Sequence, residues 1–267
     1  MIGSVCHAED ITIRYNGAKA EVQQKAKDSV NVIVDGANVN IESLYKDHKL
    51  TIRLTGKSDN GQLILKAAGK AKVELDGLTL TSQEGAPLDL KNKKKVEVVA
   101  TKGTNNTLTI TACNDTANHK AATIWAKDKL LLSGKGTLNI IATGDGCRGI
   151  KTKKDITIEE LTLNVTTSGD NLGEKPFGFG GGGMPDFGNF PRPDFGGGFP
   201  GGGGFPRPDF GGGFMGKHKY VASTKGIASK GKITINSGNI TVRTSTAGAE
   251  GIEGKEGIVF NGGNVDV

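Results

Sequence analysis

Acidic residues recur at one position of a repeated sequence pattern, where they could bind a divalent cation. Asp115, Asp145 and Asp170 each lie five residues beyond the end of a strand-like segment, and Glu250 falls in the corresponding turn of a later repeat. Carboxylates stacked about 5 Å apart repel one another by roughly 1 kcal/mol in water, and a cation between them would turn that repulsion into binding. Oxygen ligands of this kind suit Ca²⁺. The pattern therefore predicts a calcium site at these four residues, although acidic residues also serve simply as solvent-facing turn residues.

A second column consists of basic residues that could bind an anionic polymer. A lysine stands three residues after the apolar residue that marks each short strand, at Lys91, Lys127, Lys153, Lys230 and Lys255. A row of ammonium groups could follow the carboxylates of a uronic-acid chain. Lysines at turns also keep repeat proteins soluble and discourage pairing at sheet edges. The spacing predicts substrate binding by these five lysines, with solubility as the alternative.

Trp125, the single tryptophan of the chain, occupies an outward position two residues before Lys127. An exposed indole can stack on a sugar ring, so the sequence predicts that Trp125 contacts the same ligand as the lysines. A shift of one residue in the strand register would bury the ring instead.

The repeats predict the elements that position these residues. Residues 233–242 (ITINSGNITV) and 258–267 (IVFNGGNVDV) share a short strand, a Gly-containing turn and a second short strand, and looser versions lie at 156–165, 130–140 and 73–80. A third strand precedes each unit, marked by Ile124, Ile150, Ile227 and Ile252. A β-rich repeat of about 25 residues is typical of a β-solenoid. The predicted fold is an all-β, right-handed parallel β-helix with about 25 residues per coil.

A low-complexity segment interrupts the repeats. Residues 173–219 hold nine of the ten Phe and seven of the eight Pro, and FPRPDFGGGF occurs twice in this segment. A Gly/Phe/Pro-rich segment without aliphatic residues predicts a flexible surface insertion, whose spaced Phe and Arg could alternatively bind a glycan or another copy of the chain. The expected organisation is a remnant of a signal peptide at 1–8, β-helix coils at 9–172, the insertion at 173–219, and incomplete C-terminal coils at 220–267.

Composition narrows the class of partner. The net charge is +6, with 34 Lys and Arg against 28 Asp and Glu, which favours a polyanionic partner. No nucleic-acid-binding module and no apolar run of membrane-spanning length is present, so neither nucleic acid nor a transmembrane segment is expected. The chain contains three Cys, of which Cys113 and Cys147 fall near the same turn of different coils and could form a disulfide or remain buried thiols.

The segments LLLSGKGTLNIIATGDGCRGIKTKKDITI and GIASKGKITINSGNITVRTSTAGAEGIEGKEGI, with VELDGLTLTSQEGAPLDL upstream, resemble the bacterial family of carbohydrate-binding domain-containing proteins. The resemblance implies a secreted or cell-surface right-handed β-helix that binds calcium and acidic plant polysaccharides such as polygalacturonate (pectin). The family's usual Asp-Asp-Gly-Ile turn is replaced here by Gly144-Asp145-Gly146-Cys147-Arg148-Gly149-Ile150, which leaves fewer carboxylates for calcium.

The preferred interpretation is therefore a non-catalytic protein that binds an acidic polysaccharide with calcium. Similar β-helix proteins include polysaccharide lyases, which use a Lys or Arg to abstract a proton from the uronate. Lys151 and Arg148, close to Asp145, are the candidates in that alternative. A third interpretation is a surface adhesin or assembly protein that self-associates through the Phe/Gly-rich insertion or the uncapped C-terminal edge.

Overall fold

A computed structural model describes residues 10–25, 30–112, 121–174 and 220–267, and these residues form an all-β structure. The strands are β1 (Ile11–Asn16), β2 (Lys19–Gln24), β3 (Val30–Asp35), β4 (Asn38–Ser43), β5 (Leu50–Ser58), β6 (Gln62–Ala67), β7 (Ala71–Ser82), β8 (Leu88–Leu90), β9 (Val96–Ala100), β10 (Asn105–Ile110), β11 (Ala122–Ala126), β12 (Leu130–Ser133), β13 (Thr137–Ala142), β14 (Arg148–Thr152), β15 (Ile156–Ile158), β16 (Leu161–Thr167), β17 (Leu172–Glu174), β18 (Tyr220–Ala222), β19 (Lys225–Ser229), β20 (Ile233–Ile235), β21 (Gly238–Thr244), β22 (Glu250–Gly254), β23 (Ile258–Phe260) and β24 (Asn264–Asp266). The described residues contain no helix that is long and apolar enough to cross a lipid bilayer.

Two large sheets contain nearly all of these strands. A 14-stranded sheet follows the order β23-β20-β15-β12-β9-β7-β10-β13-β16-β21-β24, with β5 paired to β7, β1 paired to β5 and β2 paired to β1. An 8-stranded sheet follows the order β22-β19-β14-β11-β8-β6-β4-β3, and β17 and β18 form a small third sheet. Neighbouring strands of the large sheets are parallel except in the two N-terminal hairpins, β1–β2 and β3–β4, which are antiparallel.

The prediction of a right-handed parallel β-helix is wrong. A three-strand coil requires the first and second strands of each repeat to end at the turn between them, but β7 continues from Ala71 to Ser82 through the expected turn at Asp76 and Gly77. This strand pairs with β9 near its start and with β10 near its end. The two strand sets therefore belong to one curled, half-barrel-like parallel sheet, and the 8-stranded sheet is the second layer of the fold.

Local backbone geometry explains how β7 bends without ending. Gly77 adopts a φ of +70°, a conformation that is strained for residues with a Cβ. The pairing of β5 with β7 shifts register between Leu54 and Gly56, as at a β-bulge, and pairing then resumes. The same residue types occur in a bulge, which bends a strand and lets its pairing resume, and in a turn, which ends the strand. The sequence alone therefore does not distinguish the two.

Alternating aliphatic residues fill the core between the sheets. The pattern of buried and partly exposed residues in β5, β7, β13 and β16 has a period of two, as expected for strands with one face in the core. The third-strand residues Ile124, Ile150 and Ile227 are fully buried, and each lies opposite the next across a parallel pair of strands. Residues one and three positions away consequently lie on the outer face of the 8-stranded sheet.

The chain divides into two units, Met1–Gly173 with Val221–Val267, and Glu174–Tyr220. The two sheets described above belong to the first unit. The predicted insertion at 173–219 and the proposed leader at 1–8 lie outside the described residues, apart from Gly173 and Glu174 in β17.

Candidate functional site

The predicted lysines lie in one row on the 8-stranded sheet. The backbone N–H of Lys127 donates to Leu90 O at 2.9 Å, and that of Lys153 donates to Ala126 O at 3.1 Å. The same bond links each consecutive pair of repeats, from Lys91 bonded to Leu65 O through to Lys230 and Lys255. Because Lys91 pairs with the carbonyl that precedes Lys66, Lys66 extends the row by one position. The lysine row thus comprises Lys66, Lys91, Lys127, Lys153, Lys230 and Lys255.

Carboxylates neutralise the ends of the lysine row but not its middle. Lys66 Nζ lies 3.0 Å from Glu42 Oε1, and Lys91 Nζ lies 3.2 Å from Asp89 Oδ2. At the other end, Lys255 forms an ion pair with Glu253. Among the described residues, Lys127, Lys153 and Lys230 have no carboxylate partner. Three consecutive cations are therefore left on neighbouring strands, about 4.8 Å apart.

A cleft of about 520 Å³ lies beside this stretch of the row. Lysines and the single carboxylate of Glu42 line its polar side, while the exposed Leu44 and the largely buried Trp125 are the large apolar residues of the lining. The lining residues that matter here are Leu44, Lys66, Lys91, Trp125, Lys127 and Lys153. A groove with an apolar wall and several cations suits a ligand that carries both a hydrophobic face and negative charge.

Trp125 is in the outward row but is not exposed. It lies opposite Asp89 and Lys151 on the neighbouring strands, as expected for an outward position, yet only 3% of its surface is accessible. Its ring packs with Ala86 and Ala122, and Lys153 Nζ lies 5.9 Å from the ring centroid. The expectation of an exposed stacking platform is therefore wrong, and the ring instead forms a buried support beneath the cation of Lys153.

A second, smaller pocket of about 190 Å³ lies farther along the same face. Arg148, Lys151, Lys225, Lys230, Lys255 and Glu253 line it, and we refer to it as the arginine pocket. Lys230 and Lys255 also belong to the lysine row, so the two surfaces are continuous.

Burial, and after it the neighbouring positive charges, lowers the pKa of Lys151. Burial, together with the charges of Arg148, Lys230, Lys153 and Lys225, lowers the pKa of Lys151 to about 7. A lysine of this kind exchanges its proton near neutral pH, whereas an ordinary lysine remains protonated there.

Arg148 is the most deeply buried cation of the arginine pocket. Only 8% of its surface is accessible, and burial lowers the pKa of its guanidinium although the charges of Glu253 and Glu250 act in the opposite direction. Its Nη2 lies 3.5 Å from Ser223 Oγ, whereas its buried Nη1 has no hydrogen-bond partner in the described part of the chain.

Two of the four predicted calcium ligands lie together. The backbone N–H of Asp170 donates to Asp145 Oδ1 at 2.9 Å, and the N–H of Gly146 donates to Asp170 O at 2.7 Å, so the two turns stack. Glu250 instead begins β22, and its carboxylate forms an ion pair with Lys225. Asp115 lies outside the described residues. No group of three candidate metal ligands is found within the described ranges.

The sequence prediction missed Lys66 and the partners of Arg148. Lys66 was overlooked because the irregular N-terminal spacing hid the repeat to which β6 belongs. Lys225 lies directly opposite Arg148 across β14 and β19. Arg148 lies two positions before Ile150, and Lys225 lies two positions before Ile227. That shared offset is the signal that could have identified the pair.

Cys147 is disulfide-bonded, which agrees with one of the two states considered for it. The other two cysteines of the chain, Cys6 and Cys113, lie outside the described residues.

Comparison with known proteins adds a family and a fold. The family model described as carbohydrate-binding domain-containing protein matches residues 35–176. A relative of the same description from Acetivibrio thermocellus is 27% identical over 138 residues, which cover 49% of this chain and 48% of the relative. The chain therefore spans about half the length of that relative.

A solved structure described as the polysaccharide lyase-like protein from C. thermocellum, a gadolinium derivative, has a similar fold. The TM-score is 0.61 at 18% sequence identity, and the match covers 96% of this chain and 81% of that chain. The likeness at this level of identity concerns the fold alone.

Proposed function

Because this chain belongs to the carbohydrate-binding domain-containing protein family, we propose that it binds an acidic polysaccharide, such as polygalacturonate, along the lysine row. The observation that carries the proposal is the stretch of Lys127, Lys153 and Lys230, which have no carboxylate partner within the described ranges, together with the cleft at Trp125. The proposed protein is non-catalytic and holds the polymer parallel to the stacking direction of the strands.

Electrostatics favours a polymeric anion over a small one. Neighbouring ammonium groups about 4.8 Å apart repel each other by about 1 kcal/mol in water, and a chain of carboxylates would neutralise all of them at once. Each contact on an exposed surface is weak, so useful affinity requires several contacts along one ligand.

Calcium could strengthen this binding, but the described residues do not form a complete site. Asp145 and Asp170 remain as candidate ligands, and Asp145 Oδ1 already accepts a hydrogen bond from the backbone. Ca²⁺ takes six to eight oxygen ligands, so these two residues need further donors. Calcium binding at Asp115, Asp145 and Asp170 stays a prediction, and addition of calcium should raise the unfolding temperature of the wild type but not of Asp145→Ala if it is correct.

A location outside the cytosol is part of the proposal. Disulfides persist in secreted and cell-surface proteins and are rare in the reducing cytosol, and Cys147 is disulfide-bonded. An extracellular bacterial protein would also meet plant-type polysaccharides directly.

One observation favours a polysaccharide lyase as the second candidate function. A general base works best when its pKa is near the working pH, and the pKa of Lys151 is lowered to about 7. In a lyase, Lys151 Nζ would accept the proton from C5, the carbon next to the uronate carboxylate, while the glycosidic C4–O bond breaks. The leaving oxygen would take a proton from solvent, and a C4=C5 double bond would remain in the unsaturated sugar.

Affinity gel electrophoresis in polygalacturonate distinguishes the two candidates. The binding protein should be retarded in gels that contain polygalacturonate and not in gels that contain an uncharged polysaccharide, and no unsaturated uronide should form. Repeating the gel with calcium and then with excess chelator shows whether calcium contributes. Formation of product that Lys151→Ala abolishes would establish the lyase, and absence of both retardation and product would refute both candidates.

Matched variants test whether the lysine row is the binding surface. Lys127→Gln combined with Lys153→Gln should reduce retardation at least about tenfold, because two of the unpaired cations are removed. Lys102→Gln combined with Lys135→Gln removes the same charge from turns of the other sheet and should retain at least half of the binding. Equal losses in the two variants would mean that net charge, rather than the row, determines affinity.

A further inference from the structure

The arginine pocket contains a cation that the fold itself does not satisfy. Arg148 is 8% exposed, and its buried Nη1 has no hydrogen-bond partner among the residues that the structure describes. A charged donor in that position loses its hydration without recovering a bond, which destabilises the folded state. Among the described residues, no carboxylate pairs with the guanidinium, and the side chain is not turned out into solvent.

Neighbouring residues increase this imbalance. Lys225 lies directly opposite Arg148 on the adjacent parallel strand, and like charges in that relation repel. The nearby acids are directed elsewhere, since Glu253 Oε2 lies 2.6 Å from Lys225 Nζ and also pairs with Lys255. Lys230, which lines the same pocket, has no carboxylate partner among the described residues. Positive charge is thus concentrated around an opening that contains one carboxylate at its border.

We propose that the arginine pocket binds a single oxyanion, the carboxylate or sulfate group of one acidic sugar unit, with Arg148 as its main hydrogen-bond donor. A planar guanidinium can contact two oxygens of such a group, and Lys230, which has no carboxylate partner among the described residues, supplies charge at its side. The volume of about 190 Å³ admits one charged group and is smaller than a pocket for a whole drug-sized ligand. The assignment of the anion to a glycan rests on the proposed function, whereas the anion site itself does not.

Such a site would fix the register in which a polymer binds along the lysine row. Lysine recurs in every repeat of the row, so a uniform polymer could bind in several registers of equal energy. Arginine occurs at the Arg148 position in one described repeat, and the equivalent residues on the flanking strands are Ala122, Lys225 and Glu250. One deep contact in a periodic surface selects a single register for the bound chain.

Thermal unfolding with small anions tests the site without a polymer. Sodium sulfate and free galacturonate should each be compared with sodium chloride at equal ionic strength. Saturable binding should raise the unfolding temperature by about 3 °C at ten times the dissociation constant, and sodium chloride should not. The anion with the lower dissociation constant identifies whether the site prefers a sulfate or a carboxylate. Equal shifts with all three salts would overturn the proposal.

Substitutions at Arg148 separate an anion site from a structural role. Arg148→Met keeps the length of the side chain and removes its charge, so it should eliminate the anion-dependent shift while the unfolding temperature without anion stays equal or rises. Arg148→Lys keeps the charge and loses the fork, and it should weaken binding about tenfold, which provides a test even if the Met variant fails to fold. Lys102→Met, in a turn of the other sheet, should behave as the wild type. An anion-dependent shift that persists in both Arg148 variants would refute the proposal.

The outcome is distinguishable from that of the proposed function. Lys127→Gln with Lys153→Gln should lose retention on polygalacturonate and keep the sulfate or galacturonate shift. A wild-type protein that shows the shift but is not retained by polygalacturonate would refute the proposed polysaccharide and leave the anion site established.

Discussion

The two large sheets of this molecule each carry a stack of identical polar residues, and the two stacks behave in opposite ways. On the 14-stranded sheet, Asn164 Nδ2 donates to Asn139 Oδ1 at 2.9 Å, and Asn139 Nδ2 donates to Asn105 Oδ1 at 2.6 Å. We call these three residues the asparagine stack. On the 8-stranded sheet, the middle of the lysine row has no such bonds.

The difference arises from the chemistry of the two side chains. An amide both donates and accepts hydrogen bonds, so equal amides on successive strands satisfy one another. An ammonium group only donates, and equal ammonium groups on successive strands repel. Repetition therefore stabilises the asparagine stack, whereas in the lysine row it leaves charges that the proposed acidic polysaccharide would neutralise. A regular backbone does not by itself indicate which surface binds a ligand.

Charge reversal in the lysine row should have the largest effect. Lys127→Glu, Lys153→Glu and Lys230→Glu together should weaken polygalacturonate binding by about 100-fold or more, because attraction at three contacts becomes repulsion. Asn105→Glu, Thr166→Glu and Asn239→Glu add negative charge to exposed positions of the other sheet and should change affinity by less than about fivefold, as screening limits effects at a distance. Titration calorimetry measures both. A comparable loss in the second variant would contradict the contrast between the two faces.

The pH dependence of binding should follow Lys151. With a pKa of about 7, this residue is mostly protonated at pH 6 and mostly neutral at pH 8, so affinity for a polyanion should fall severalfold as the pH rises through that window. Lys151→Met should remove the step and leave the affinity that the wild type has at pH 8. The control residue is His48, whose Nε2 lies 3.0 Å from Asp10 Oδ2, and His48→Gln should keep the step. A flat profile for the wild type would show that Lys151 does not contribute.

Folding stability should depend on the asparagine stack more than on the lysine row, the reverse of what is expected for ligand binding. Asn164→Ala removes the partly buried hydrogen bond between the side-chain amides of Asn164 and Asn139, and it should lower the free energy of unfolding by about 1 kcal/mol. Lys153→Ala removes one of several repelling charges and should change that free energy by less than about 0.5 kcal/mol. Urea denaturation of both variants at low salt provides the comparison. A larger loss for Lys153→Ala would mean that the lysine row stabilises the fold.

Replacement of Trp125 should have the smallest effect on affinity. Because the ring is 3% exposed, Trp125→Phe should change polygalacturonate binding by about twofold or less, with the apolar support for Lys153 largely kept. A loss of tenfold or more with unchanged stability would show that the indole contacts the sugar after all.

The sequence was sufficient for local patterns and insufficient for the way strands join. Period-two alternation located the strands around Ile140 and Ile158, because burial on one face of a sheet imposes that period, and the fixed offset of Ile150 from Ile156 located the third strand. Constant offsets from the same aliphatic residues located the lysines. The predicted fold was wrong because β7 continues through Gly77, and a strand that bends has the same residue types as two strands joined by a turn.

The candidate sites show a related limit. The outward orientation of Trp125 followed from its offset, but its burial depends on Ala86, which is distant in the sequence. The pairing of Arg148 with Lys225 likewise requires β14 to lie beside β19, with a long segment of chain between them. Offsets within a repeat predict which face a residue occupies, whereas its accessibility and partners depend on neighbours contributed by other repeats.

That direct pairing of β14 with β19 means that the length of the connecting chain is independent of the spacing of the rows. Ile150 meets Ile227 in the same register as Ile124 meets Ile150, although the first pair is separated by far more chain. Adding or removing repeats would therefore lengthen or shorten the surface in fixed steps of one strand spacing, about 4.8 Å. Backbone hydrogen bonds therefore fix the spacing between successive lysines. A related chain with more repeats would present a longer lysine row with the same spacing.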